Sequence, residues 1–442
     1  MKTPRLLLCA LPATLLLSAC NTTATEEKKT AVASVNPETT VASALPVISP
    51  QLPADGQFNP PFDLASLQHD FDVFSWQSFI ALNWPAAAIG EPDTSVSIGE
   101  KQGQPTVWQT YKESRDIFLP GGATPPEWGT DVPPPSVCGD QSLPVLSQIA
   151  KVPNVLDESA EPFETGPLID QNGQYTRYEI LTNEVMFNYI RSNQLYSAAG
   201  QAAFGGSADF PFGTDSQVGS IMLKASWKVL GANDDATKFH TAQAYVYNNP
   251  DEHAGVVAAC KLQTVGLVGF HIGTKMSGNP QWVWSTFEHA DNVPTQGEPI
   301  SKTHYNYYKP NCADCAEVNA QPPRPWNPGN SFTQPSQIMR VIPITAETRQ
   351  LNASYHAALE KLVPGSVWTN YELVSTQWPT DPNSKTDPTG VPAPSFLANT
   401  TLETYIQGEV RQTSSSCIQC HNNATMTSGK FSDFTYLLQR AQ

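Results

Sequence analysis

Apolar side chains return at helical intervals between Leu67 and Trp84. Phe71, Phe74, Phe79 and Leu82 supply much of the stripe and Pro85 stops it, which predicts an amphipathic helix. A second helix is predicted from Arg177 to Leu195, on Ile180, Val185, Met186 and Ile190, and a third over residues 347–362. Elsewhere the period is two. Residues 221–230, Gln243 to Tyr247 and Trp368 to Trp378 alternate as half-buried strands do. Val265 to Lys275 is apolar on both faces and interrupted by glycines, the pattern of a strand covered on both sides. After the turn residues Gly278-Asn279-Pro280, residues 281–289 read as its paired strand.

Residues 119–167 and 379–394 are Pro-rich and irregular, and short helices are predicted at Leu402–Gln412 and Ser432–Ala441. No fixed-period repeat and no regular βαβ alternation is present. The expected class is α+β: mixed helices and antiparallel-type strands joined by long Pro-rich loops. Composition agrees, because 39 Pro and 27 Gly argue against a helical bundle. With 40% hydrophobic residues and 10 Trp, the chain can still bury a substantial core.

The first twenty residues follow another logic. Lys2 and Arg5 precede an apolar run from Leu6 to Leu17 that is too short to span a bilayer. Leu17-Ser18-Ala19-Cys20 follows at once and resembles the lipobox of bacterial lipoproteins. The resemblance implies cleavage of residues 1–19 and a lipid on Cys20 that anchors the chain to a membrane without threading it. Asn21 after the lipid Cys leans toward the outer membrane. Residues 20–58, rich in Thr, Ala, Val, Ser, Pro and Glu with no large aromatic before Phe58, read as a tether. Loss of Lys2 and Arg5 with the signal takes the net charge from −16 to −18. Such a surface disfavours nucleic acid and suits a partner protein with a basic docking face.

Cysteine usage fits export. Cys9 leaves with the signal and Cys20 takes lipid. Cys417 and Cys420 belong to the motif below, which leaves Cys138, Cys260, Cys312 and Cys315. An even remainder outside the cytoplasm implies two disulfides, and of three connectivities Cys312–Cys315 with Cys138–Cys260 is preferred. Cys312-Ala313-Asp314-Cys315-Ala316 looks like a haem motif without its histidine, so a short-loop disulfide is the better reading there.

Five residues carry the chemistry. Cys417-Ile418-Gln419-Cys420-His421 is a C-x-x-C-H sequence, which resembles the attachment motif of c-type cytochromes. The resemblance implies one covalent haem c, bound by thioethers at Cys417 and Cys420 with His421 as the proximal iron ligand. A surface disulfide beside a histidine, or half of a zinc site, are the plain alternatives. Only 21 residues follow His421, whereas the common small cytochromes c carry roughly fifty or more with a distal Met. Met426, five residues on, is too close to cross the porphyrin. Residues 59–395 are therefore expected to form a globular domain that supplies the other wall to a haem segment at 396–442.

His271 is the leading candidate for a second iron ligand, because it lies in the Gly-broken strand where a planar group can approach the backbone. A buried histidine held by a carbonyl is its plain alternative. His289, beside Glu288 and Asp291, reads as either a proton-handling group or a surface turn. Met276 and Met339 are soft alternatives more often found as core filling. Trp282, Trp284, Trp326, Trp368 and Trp378 are core aromatics or porphyrin neighbours. Lys224 and Lys228 lie on an exposed strand face or pair with haem propionates. The function this implies is electron transfer by an envelope-anchored cytochrome. A haem-dependent oxidoreductase of peroxidase or oxygenase type, with an open distal position, is the alternative.

Overall fold

Strands, helices and turns are described here for residues 45–53, 64–100, 103–139, 142–148, 166–214, 216–248, 250, 257–322, 334–381, 392–408 and 415–442 of a computed structural model. The expected signal segment and tether (apart from residues 45–53), Cys20, His253 and Trp326 lie outside these residues. The helices are α1 (Leu64–Leu82), α2 (Glu184–Ser192), α3 (Ala198–Phe204), α4 (Ala346–Leu362) and α5 (Cys417–His421). A small hairpin is made by β1 (Ala86–Ala88) and β2 (Glu91–Pro92). One large sheet contains β3 (Lys112–Glu113), β4 (Val145–Leu146), β5 (Arg177–Thr182), β6 (Ile221–Val229), β7 (Thr241–Asn248), β8 (Ala259–Met276), β9 (Asn279–His289) and β10 (Tyr371–Gln377). The fold is α+β.

The 18-residue β8 organises the sheet. One of its edges carries β6. The other carries β7 along its first half and β9 along its second, and β10 follows β9. β5 pairs with β6, and β4 pairs in parallel with β7. Gln148, just past β4, bridges to Tyr178 on the free edge of β5. Strands β5, β6, β8, β7 and β4 therefore close into a ring, with β3, β9 and β10 extending beyond it. Closure removes most of the open edge that a sheet of this size would otherwise expose.

Alternation assigns the two faces. Phe270, Ile272, Phe287, Leu223 and Leu373 point to one face, where α1 and α4 cover them with Trp76, Phe79, Tyr355 and Leu359. Trp76 stacks on Tyr355 at 4.8 Å and Phe79 on Phe287 at 4.2 Å. Asp72, 2% exposed, ties this layer together: its oxygens accept from Thr376 N, Thr348 Oγ1 and Gln68 Nε2. The opposite face receives the end of the chain. Asn399 and Thr401 settle onto Gly269, where a Cβ would stand 2.1 Å from Thr401 Oγ1 and 2.5 Å from Ser226 Oγ. Only glycine admits that approach. The C-terminal stretch then buries Ile418, Met426, Phe434, Leu437 and Leu438 against Ile180, Phe187, Trp282 and Trp284.

Several expectations change. Arg177 to Leu195 is not one helix but β5 followed by α2. Asn183 divides them, its Oδ1 accepting from Met186 N to cap α2 and from Ile221 N to hold β6. The tether ends earlier than residue 58, because Ile48 and Leu52 pack on the main core. Leu402 to Gly408 makes turns rather than a helix, since Asn399, Thr400 and Thr401 are committed to the sheet, and residues 409–412 lie outside those described. Ser432 to Ala441 reduces to a 3-10 turn at Tyr436–Arg440. Both expected disulfides are formed, Cys138–Cys260 and Cys312–Cys315. Among the described residues no helix is long and apolar enough to cross a membrane.

Candidate haem site

The C-x-x-C-H sequence is a single helical turn, α5, with Ser416 as its cap. Spacing of three and four residues puts Cys417, Cys420 and His421 on one side of that turn. Ile418 points the other way. It is 1% exposed, and its N–H donates to Gln377 Oε1 at the end of β10 over 2.9 Å. α5 is thereby pinned to the sheet by a residue of the motif that is neither a cysteine nor the histidine.

Cys417 and Cys420 lie outside the two disulfides that join the other four described cysteines. All three motif side chains are half-buried, so the side they share is not sealed. Cys417 packs against the cluster containing Ile418 and Trp284, and also against Ile344, Val374 and Leu397.

A hydrogen bond and two ring contacts help to hold His421. Its Nδ1 lies 2.7 Å from the carbonyl oxygen of Phe434. A carbonyl only accepts, so Nδ1 carries the proton, and in the neutral ring the lone pair sits on Nε2. Trp284 lies against the ring at 4.4 Å between centroids and Tyr436 at 5.3 Å. Tyr436 in turn donates its hydroxyl to the Cys420 carbonyl over 2.9 Å. The Phe434 carbonyl is aimed by an unusual turn in which Asp433 and Phe434 both have positive φ, 54° and 63°. Such a conformation in two non-glycine residues needs external support. Lys275 provides it, donating to both oxygens of Asp433 at 2.6 and 2.8 Å, and Phe210 N donates to the same carboxylate at 2.7 Å.

The sheet below continues the site. Trp284 pairs across the ladder with Gly273, and His271 with Thr286 on one side and Lys224 on the other. His271 therefore shares a face with Trp284 and stands one diagonal step from it. Met222, Lys224 and His271 are only half-buried although they belong to the central strands. His271 Nε2 lies 2.9 Å from Glu403 Oε2, and its Nδ1 has no partner among the described residues. Glu403 also accepts from Asn399 N at 3.0 Å, so the carboxylate is fixed by the segment that covers Gly269.

Other candidates fall away. His289 is 1% exposed and stacks on Phe239 at 4.3 Å. Its Nε2 donates to the Lys238 carbonyl and its Nδ1 accepts from Asp291 N, so both nitrogens are used and it is neither a surface turn nor a proton donor to a ligand. Burial pushes its pKa down to about 4. Lys228 is not on an exposed face: it is 1% exposed and bonded to Asp234, with Asp170 3.9 Å away. Met276 and Met426 are buried in apolar clusters. Trp368 and Trp378 belong to the layer under α1 and α4. Of the named tryptophans, Trp284 touches the motif histidine.

The donor set fits a covalently attached haem: two adjacent thiols, and an imidazole whose far nitrogen bears the lone pair. Near the motif, Gln419 Oε1, Asn422 Oδ1 and Trp282 Nε1 are buried with no hydrogen-bond partner among the described residues. Zinc fits less well, since among the described residues no three His, Cys, Asp or Glu side chains converge as a metal-ion site. Sequence reasoning missed Glu403 and the Phe434 carbonyl; neither has a local signal near the residue it serves. Comparison with protein-family models, with curated proteins and with solved structures finds no match to this chain.

Proposed function

We propose that this chain is an envelope-anchored c-type cytochrome that transfers electrons through one covalent haem c. Cys417 and Cys420 would hold the haem by thioether bonds, and His421 would be the proximal ligand through Nε2. The observation that carries this reading is the hydrogen bond from His421 Nδ1 to the Phe434 carbonyl, which presets the imidazole as a ligand. When bound, the haem supplies a one-electron iron couple whose potential depends on axial ligands and burial.

The remaining work is done by the protein. Trp284 and Tyr436 keep water from two sides of the His421 ring, and Ile418 anchors the turn. His271 would offer a second imidazole to the iron. Glu403 holds its Nε2, and Nδ1 is the nitrogen that would be left for the iron. A lipid on Cys20 would tether the assembly, and the acidic surface favours a basic redox partner.

The same His271–Glu403 pair supports a second reading. Left unligated, a half-buried imidazole on a carboxylate would handle protons in a haem oxidoreductase of peroxidase or oxygenase type. One measurement separates the two: the visible spectrum of the reduced, haem-loaded protein before and after carbon monoxide. A low-spin spectrum unmoved by the gas supports the electron carrier, with His271→Ala converting it to a gas-binding form. A high-spin spectrum that shifts supports the oxidoreductase. A chain that carries no covalent haem after co-expression with haem-maturation machinery sinks both.

A further inference from the structure

On the opposite face of β5 lies a cleft of about 770 Å³, a size suited to a small organic ligand. Glu179 sits in its wall and is 5% exposed. One of its oxygens accepts from Trp227 Nε1 at 2.7 Å, while the other has no partner among the described residues. Two aromatic rings, Tyr111 and Trp128, line the same cleft with centroids 6.3 Å apart and planes tilted by 53°.

The charges of the wall do not balance. Glu113, Asp116, Asp131 and Glu179 face Lys112 and Arg115. Both cations are already committed: Lys112 Nζ donates to the carbonyls of Glu127 and Thr130, and Arg115 binds Asp116 at 3.1 Å and the Val132 carbonyl at 2.7 Å. Glu113 is satisfied by Arg115 N and Ser114 Oγ. What remains is a carboxylate oxygen that opens into the cleft from an otherwise buried side chain, in a wall that also carries two aromatic rings, the combination that attracts an organic cation.

We propose that this cleft binds a small organic ammonium compound, with its cationic head against the exposed side of the Trp128 and Tyr111 pair and its charge matched by Glu179. A metal ion would leave most of the volume unfilled, and an anion would meet the surplus carboxylates.

Binding is coupled to a proton. Burial, with Glu113 adding to it, holds the Glu179 carboxyl well above the usual carboxylate range, so it is largely protonated in the empty cleft at neutral pH. Glu113 from β3, Trp227 from β6 and the wall residues Lys112, Arg115, Asp116 and Asp131 surround it, and Arg440 lies near Glu113. A cation favours the ionised form, so its uptake releases a proton.

Titration calorimetry on the full mature chain tests this with choline and 1,5-diaminopentane, and with 3,3-dimethyl-1-butanol as the uncharged isostere of choline. The expected result is binding of at least one amine at pH 8, with proton release and with the isostere about tenfold weaker or worse. Glu179→Gln is expected to weaken the amine by about tenfold. If that variant does not fold, Trp128→Leu at the half-exposed rim serves in its place. Equal binding of choline and its isostere, unchanged affinity in the variants, or no heat from either amine overturns the proposal. The outcome does not depend on whether haem is attached.

Discussion

The ring of Trp284 lies 4.4 Å from the ring of His421, centroid to centroid, at a tilt of 47°. One residue belongs to a strand in the middle of the sheet, the other to a helical turn near the end of the chain. Through this pair the stiff part of the fold sets the position of the imidazole. The indole is itself fixed, donating Nε1–H to the Gln281 carbonyl over 2.9 Å.

Removing that wall has a measurable result. Trp284→Ala is expected to lower stability by about 3 kcal/mol, the range for large aromatic truncations in a packed cluster. It is also expected to speed labelling of Cys417 and Cys420 by a thiol reagent in the haem-free chain. Chemical denaturation reads the first effect and labelling kinetics the second. Unchanged labelling would mean that α5 is held without the indole.

The two motif cysteines differ from the four disulfide-bonded ones, and the difference is testable. Cys417→Ala with Cys420→Ala is expected to abolish covalent haem staining on a denaturing gel. Cys312→Ala with Cys315→Ala is expected to leave the stain in place, since that pair forms a disulfide across a three-residue separation. Staining that survives the first double variant ends the proposed attachment.

Glu288 is fully buried in β9. It accepts from Thr400 N at 2.6 Å, from the Thr400 hydroxyl, and from Arg340 Nη2 at 3.1 Å. Arg340→Met leaves the carboxylate without its counter-charge and is expected to reduce stability by about 3 kcal/mol. Replacing Glu288 by Gln together with Arg340 by Met is expected to recover part of the loss. A urea titration of the three proteins decides, and a single variant as stable as the parent would show that the charge pair contributes nothing.

Stability should also respond to pH with opposed signs. Burial pushes His240 and His289 down to about 4 from an ordinary 6.5. Their contribution is complete above pH 6.5 and is lost as pH falls through 4, because only the unfolded chain then takes up the protons. Burial pushes Glu179 up to about 8 and Glu113 up to about 7 from an ordinary 4.5. Their contribution is complete below 4.5 and is lost as pH rises through 7 to 8. The two sets offset each other between about pH 4.5 and 6.5, and stability falls on either side. The unfolding midpoint is expected to drop by about 5 °C from pH 6.5 to 8.5, and Glu179→Gln to flatten that alkaline limb. A midpoint that rises across this interval would refute the assignment.

Much of the frame was legible in the sequence because local pattern and tertiary role coincide. The apolar stretch broken by Gly266, Gly269 and Gly273 is a strand covered on both faces, and the tyrosine- and leucine-bearing run after Thr345 is a helix capped by that residue. Reading failed where a side chain's partner is distant. His271 and Glu403 are 132 residues apart, and nothing near either one points to the other. Lys228 looked exposed because a lysine in an alternating strand normally is, yet Asp234 and Asp170 neutralise it inside the fold. Between Arg177 and Leu195 the apolar spacing was shared by a strand and a helix, and Asn183 was the boundary signal.

The position of the C-terminal stretch has a consequence for the order of assembly. Ile418, Met426, Phe434, Leu437, Leu438 and Ala441 fill one side of an apolar cluster whose other side is made by residues 117–284. That cluster stays open, with Trp282 and Trp284 uncovered, until the stretch from Ile418 to Ala441 has been made and has folded back. The sulfurs of Cys417 and Cys420 are most accessible during the same interval, before α5 seats on the sheet. The proposed attachment at those sulfurs would therefore precede the last packing step, and a chain modified there would close its core around the result.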